Sequence, residues 1–153
     1  MVTASELAKY IVHKYQEAGD PVTNLKLQKL LYYVQGWHLA MSDNPAFTDR
    51  IEAWVHGPVQ PGVYGEYKCN RWNPICTEVQ PPALDIQTKS ITDEVLDIYG
   101  GDSGYELEIR THHEPPWIEA RDGIPPDQES TSIISHESMK HFFKRLSEDS
   151  HGK

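Results

Sequence analysis

T-N-L-K-L-Q-K-L-L-Y-Y-V-Q-G-W-H-L-A, Thr23 to Ala40, leads after a short polar loop into F-T-D-R-I-E-A-W-V-H-G-P-V-Q-P-G-V-Y, Phe47 to Tyr64. In the first half, Leu27, Leu30, Leu31, Val34, Trp37 and Met41 follow the i, i+3, i+4, i+7 rule, which predicts an amphipathic helix. Thr23 is placed to cap it, because a threonine hydroxyl can accept a bond from an orphan N–H of the first turn. Gly36 inside a helix costs roughly 1 kcal/mol against alanine. Close packing of a neighbouring element at that point is the expected reason. Gln28 and Gln35 need hydrogen-bond partners if they are buried, and the backbone around Gly57-Pro58 is one source. In the second half, Ile51 to Val55 reads as a short strand and Gly57-Pro58 as a turn. Pro61 suits the first position of a helix carrying Val63, Tyr64 and Tyr67.

Outward from this run, Thr3 and Glu6 form a capping-box pattern for a first helix through Leu7, Ala8, Ile11, Tyr15 and Ala18, ended by Gly19-Asp20-Pro21. Ile75 to Val79 has the content of a second strand, able to pair with Ile51–Val55. Ser90 or Thr92 is expected to cap a helix through Val95, Leu96 and Tyr99, and Ser103 another through Tyr105, Leu107 and Ile109. That helix should break at Pro115-Pro116 and restart through Trp117. Ser135 caps the last helix, with Ile134 and Met139 as its hydrophobic staple and Met139, Phe142, Phe143 and Leu146 as its buried stripe. The expected class is mainly α, a compact single-domain helical fold of about five to six helices with at most a small two- or three-stranded sheet. Residues 1–146 are read as the domain and 147–153 as a flexible C-terminal tail.

Composition bounds the function. A chain of 153 residues with four Trp and eight Tyr has enough apolar material for one packed core. No apolar run approaches the ~20 residues that span a bilayer, and the N-terminus lacks the pattern of a signal peptide, so a cytoplasmic location without membrane attachment is expected. A net charge of −9 disfavours nucleic-acid binding by this chain alone and suits a soluble protein or one that meets a basic partner. Lys26, Lys29, Lys140, Lys144 and Arg145 are the candidates for a local basic patch. Cys69 and Cys76 are spaced unlike zinc ligands and are read as unpaired thiols; no metal or other cofactor is expected.

Two groups of residues stand out as candidate partner-binding sites. Trp54, His56 and Tyr64 flank the Gly57-Pro58 turn and offer an aromatic surface, though Trp54 and Tyr64 also suit a core. His112, Glu114, Trp117 and Arg121 form the densest polar cluster. A His beside a Glu is general-base material and an Arg beside an aromatic can hold an anion, but such residues at a helix junction also bond free carbonyls. No phosphate-binding loop, dinucleotide fingerprint, H-E-x-x-H or G-x-S-x-G motif occurs, so no catalytic residue is assigned.

The wording of Thr23–Ala40, of I-E-A-W-V-H-G-P-V-Q-P-G-V-Y and of L-E-I-R-T-H-H-E-P-P-W-I-E-A-R, Leu107 to Arg121, resembles the Panacea domain family, the SocA-like antitoxins and prophage-associated GepA-type proteins. The family pattern T-H-x-E-x-P-W is met here with a second His, His113, and a doubled proline. The resemblance implies a mainly helical cytoplasmic protein of a toxin–antitoxin system. Such a protein neutralises a cognate toxin, encoded by the adjacent gene, through direct protein–protein binding. It also admits a proteolytic adaptor that delivers the toxin to a ClpXP-type protease. An enzyme built on His112, Glu114 and Arg121 is the alternative outside the family's known roles.

Overall fold

The computed structural model describes residues 1–151. Among them are seven α-helices: α1 (Ala4–Glu17), α2 (Asn24–Ser42), α3 (Pro61–Tyr67), α4 (Ile86–Tyr99), α5 (Gly104–His112), α6 (Pro115–Arg121) and α7 (His136–His151). A short 3-10 turn, Lys68–Asn70, follows α3, and one antiparallel hairpin, β1 (Glu52–Trp54) and β2 (Gly57–Val59), is also present. The mainly α class with a small sheet is therefore the observed one. The tail expected from residue 147 is helical as far as His151, and residues 152–153 lie outside the described residues.

Local chemistry explains most helix starts. The Thr3–Glu6 and Ser103–Glu106 capping boxes both close, each satisfying two backbone donors. Thr23 Oγ1 accepts from Lys26 N, and Ser135 Oγ from Ser138 N. Pro115 and Pro116 stop α5 and open α6, because proline lacks the N–H that a helix interior needs but the first turn does not. The start of α4 differs from the expectation. Asp85, not Ser90 or Thr92, is the cap, its carboxylate accepting from Thr88 N, so the helix begins a full turn earlier.

The largest departure concerns α2. Every residue from Leu27 to Gly36 is buried, as are Asn24, His38 and Leu39. The helix is not amphipathic but central: α1, α3, α4, α5, α7 and β2 all pack on it. The leucine stripe marks only one of its buried sides, while Met41, near its C-terminal end, is exposed. Gly36 is required by α7. A Cβ there would fall inside the Phe143 ring, which fills that contact. The two glutamines that burial traps in α2 are satisfied. Gln28 Oε1 accepts from Gln60 N and its Nε2 donates to Asn24 Oδ1. Gln35 Oε1 accepts from Ala46 N and Phe47 N, while its Nε2 donates to Phe47 O.

The sheet also differs. Ile75–Val79 forms no strand; Ile75 N donates to Val22 O, beside an isolated bridge between Thr23 and Pro74. The Gly57-Pro58 pair lies in β2, and the turn is Val55-His56. Gly57 supplies the φ of +104° that leaves this two-residue turn. Pro58 is opposite Ala53, which turns its own N–H outward to Ser132 O, so the missing proline donor interrupts no ladder bond. On its other edge β1 meets residues 132–134 through Ala53 N to Ser132 O, 2.8 Å, and Ile134 N to Ile51 O, 2.8 Å. This contact is a single isolated bridge between Glu52 and Ile133.

Candidate functional site

The hairpin and the α5–α6 junction are one assembly. Three side chains of the junction take three successive carbonyls of the hairpin. Arg121 Nη1 donates to Ala53 O at 2.9 Å, Trp117 Nε1 donates to Trp54 O at 2.7 Å, and His112 Nε2 lies 2.6 Å from Val55 O. From the α2 side, Lys29 Nζ donates to Pro58 O at 3.2 Å. The spacing of 112, 117 and 121 across the proline break is what lines these groups along the strand. The two polar clusters seen in the sequence are therefore brought together, but chiefly by backbone bonds.

Arg121 is 2% exposed and, among the described residues, pairs with no carboxylate. Its guanidinium donates to the carbonyls of Ala53, Pro125 and Gln128 and sits 4.6 Å from the Trp117 ring centre. Its Nε has no partner among the described residues. A planar fork donor is suited to holding several carbonyls at once. In this way Arg121 ties the hairpin to the loop that follows α6.

Glu114 is buried between two tyrosines of α2, accepting from Tyr32 OH at 3.0 Å and Tyr33 OH at 3.1 Å. Burial raises its carboxyl to about 7, although the two hydroxyls pull the other way. Tyr33 stacks on Tyr99 at 3.9 Å, and Tyr99 OH accepts from Trp37 Nε1. Lys29 is fully buried, and burial lowers its ammonium to about 7 against the pull of Glu108. His112, Glu114 and Arg121 thus bond to different groups: the carbonyls of Val55 and Glu108, two tyrosines, and three carbonyls. Among the described residues no hydrogen bond links the three.

The accessible residues lie at the hairpin tip. His56 is exposed and pairs with Glu108 at 3.1 Å. Trp54 and Tyr64 are half-buried, meeting edge to face at 5.1 Å, and Trp54 Nε1 donates to Glu52 Oε1. Beside them runs a groove of about 490 Å³ lined by Trp54, Val55, His56, Asp127, Glu129, Ser130 and Thr131. It contains two carboxylates and no Lys or Arg. The loop side of this groove was not among the residues that stood out in the sequence. Residues 122–132 show no periodicity, and what brings them to the hairpin is Arg121 together with the backbone bond from Ala53 N to Ser132 O.

Four of the five candidates for a local basic patch are engaged elsewhere. Lys29 is interior, Lys26 Nζ donates to Gly100 O, and Lys140 and Lys144 both pair with Asp43 at the end of α2. Cys69 and Cys76 are free and exposed. Among the described residues no helix is long and apolar enough to cross a membrane.

A family model described as "Antitoxin SocA-like, Panacea domain" matches residues 27–118. That span runs from α2 through the hairpin into α6, and so contains Lys29, Gln28, Gln35, His112, Glu114 and Trp117 but not the 127–131 side of the groove. Antitoxin SocA of Caulobacter vibrioides (strain NA1000 / CB15N) is 38% identical over 69 residues, which are 45% of this chain and 37% of that protein. The match thus covers little more than a third of the relative's length. No solved structure matches. Since the matched residues make up more than half of its length, the chain belongs to the SocA-like antitoxin, Panacea domain family.

Proposed function

We propose that this protein is the antitoxin of a toxin–antitoxin pair, acting in the cytoplasm and neutralising a toxin encoded beside it by direct, stoichiometric binding. The observation that carries this reading, beside the family and the relative named Antitoxin SocA, is the groove at the hairpin tip. Its walls are held before any partner arrives, because Arg121, Trp117 and His112 pin the carbonyls behind Trp54 and Val55. Pre-organised surfaces lose less entropy on binding. Trp54, His56 and Tyr64 are the contact residues, with Asp127 and Glu129 supplying charge. Glu114, Trp117, His112 and Arg121 act one layer behind, by holding the hairpin. A standard interface of ~1,600 Å² extends well beyond this groove.

Co-expression with the product of the adjacent gene tests the reading. The expected result is growth arrest by that product alone, relief when this protein is present, and recovery of a one-to-one complex. A product that is harmless alone, or stays lethal with this protein present, removes the antitoxin assignment. Loss of the toxin from the cell only when this protein is present, with ClpXP required, identifies an adaptor instead of a simple blocker.

A further inference from the structure

Among the described residues, α4 and α7 both pack on α2 but not closely on each other. Between them, over the C-terminal end of α2, runs a groove of about 390 Å³. Its lining includes the buried Val95, the half-buried Trp37 and Leu146, and the exposed Met41 and Ile98. Met41 and Ile98 show 58% and 61% of their surface to solvent, a high exposure for two large apolar side chains on one groove. The walls are fixed in advance. Phe143 of α7 sits against Gly36, with its ring 5.2 Å from that of Trp37. Trp37 Nε1 already donates to Tyr99 OH at 3.0 Å, so the indole offers an incoming group only apolar surface. Glu94 is the one charged residue of the lining. It stands four residues before Ile98 and so shares its side of α4. Glu94 and Asp97 together line the adjoining hollow on the outer side of the same helix. Among the described residues neither is paired with a Lys or Arg, whereas Asp93 is held by Lys14 and Lys89.

We infer that this groove receives an amphipathic helix of the partner protein, with its apolar face on Trp37, Met41 and Ile98 and a Lys or Arg on its flank against Glu94 and Asp97. Every lining residue belongs to α2, α4 or α7, so no strand edge borders the groove. An extended segment would leave its backbone groups without partners there, while a helix satisfies its own and inserts side chains one turn apart. The charge of the flank follows from the lining itself, which holds a free carboxylate and no Lys or Arg, in a chain of net charge −9. The inference rests on the antitoxin reading for the identity of the partner. It adds to the hairpin groove a second docking surface, made by helices alone.

The three methionines allow a test on the wild-type protein, because Met41 borders the groove and Met139 is 1% exposed in the core. In NMR of methyl-labelled methionine, a soluble paramagnetic agent should relax Met41 in the free protein and lose access to it once the adjacent gene's product is bound. Met139 should stay shielded in both states. Amide exchange in the product should slow over one segment that has apolar residues at helical spacing and a Lys or Arg beside them. Ile98→Gln should weaken the complex about tenfold, while Ile86→Gln, an exposed residue of α4 outside the groove, should bind within about threefold of wild type. Glu94→Lys should weaken binding about fivefold at low salt, and less as salt is added. A complex in which Met41 stays accessible overturns the docking site and leaves the antitoxin reading standing, as does an I98Q protein that binds like wild type. Equal low-salt affinity of E94K and wild type overturns the basic flank. Shielding of Met41 in the protein alone as its concentration rises assigns the groove to a second copy and overturns the partner helix. If no complex forms with that product, the antitoxin reading and the docking site fall together.

Discussion

Glu114 and Lys29 are the two residues whose burial conflicts most with their chemistry, and they act in opposite pH windows. Below about 4.5 Glu114 is protonated in both folded and unfolded chains. Between 4.5 and about 7 the folded chain keeps the proton that the unfolded chain has lost, so stability falls as pH rises through this window. Lys29 reverses the sign. Between about 7 and 10.5 the unfolded chain holds a proton that the folded one has released, so stability rises with pH. Together they place a stability minimum near neutrality. Glu114→Gln keeps an amide able to bond the tyrosines and removes the acid-side slope. Relative to this variant, the wild type should lose on the order of 3 kcal/mol between pH 4.5 and 7 in urea unfolding. A difference that does not change with pH would sink this account. Gly36 is decided by sterics instead. Gly36→Ala should destabilise by roughly 1–3 kcal/mol through collision with Phe143, despite alanine's better helix propensity. In a Phe143→Leu background the same change should cost less, because the ring it strikes is gone; equal costs in both backgrounds would refute the contact.

At the scale of elements, the hairpin is too short to be stable alone and is held by side chains from other elements. Arg121 is the main tie, since it binds β1 and two carbonyls of the following loop together. Arg121→Lys keeps the charge but not the fork, so it should not rescue. Both R121K and Arg121→Ala are expected to lose about 2 kcal/mol or more in thermal or denaturant unfolding, given that bonds to a charged donor are worth about 1.5–3 kcal/mol. Proteolysis should then cut first within residues 122–132. A R121K protein as stable and as resistant as wild type would show that the fork geometry is immaterial. The polar block around α6 was legible in the sequence as a cluster, but its work was not. A histidine, a tryptophan and an arginine that bind backbone carbonyls look the same on paper as a catalytic or anion-binding set. Only the path of the hairpin past them separates the two.

Across the whole molecule, the acidic surplus favours encounter with a basic partner, and the groove concentrates it at Asp127 and Glu129. If the proposed toxin docks at this groove, reversing both, Asp127→Lys with Glu129→Lys, should slow its association by about tenfold at low salt and flatten its salt dependence, with little change in unfolding temperature. Stopped-flow association across a salt series reads this directly. Rates that do not change would move the contact elsewhere on the surface.

By itself the sequence determined the helical class, most of the caps and breaks, and the family. Those are local matters: a hydroxyl before a helix, a proline after one, leucines at helical spacing, and wording that survives as a motif. It also marked Gly36, Gln28 and Gln35 as positions needing an explanation. The tertiary structure alone decided that α2 is buried on all sides, since a pattern of leucines shows which side must be covered but not that the other sides are covered too. It decided that the second strand is Gly57–Val59 and not Ile75–Val79, because pairing depends on what the turn brings opposite. It also brought residues 127–131 to the hairpin, through bonds from Arg121 to backbone carbonyls. Every residue carries a carbonyl, so nothing in the letters of that loop could announce the contact.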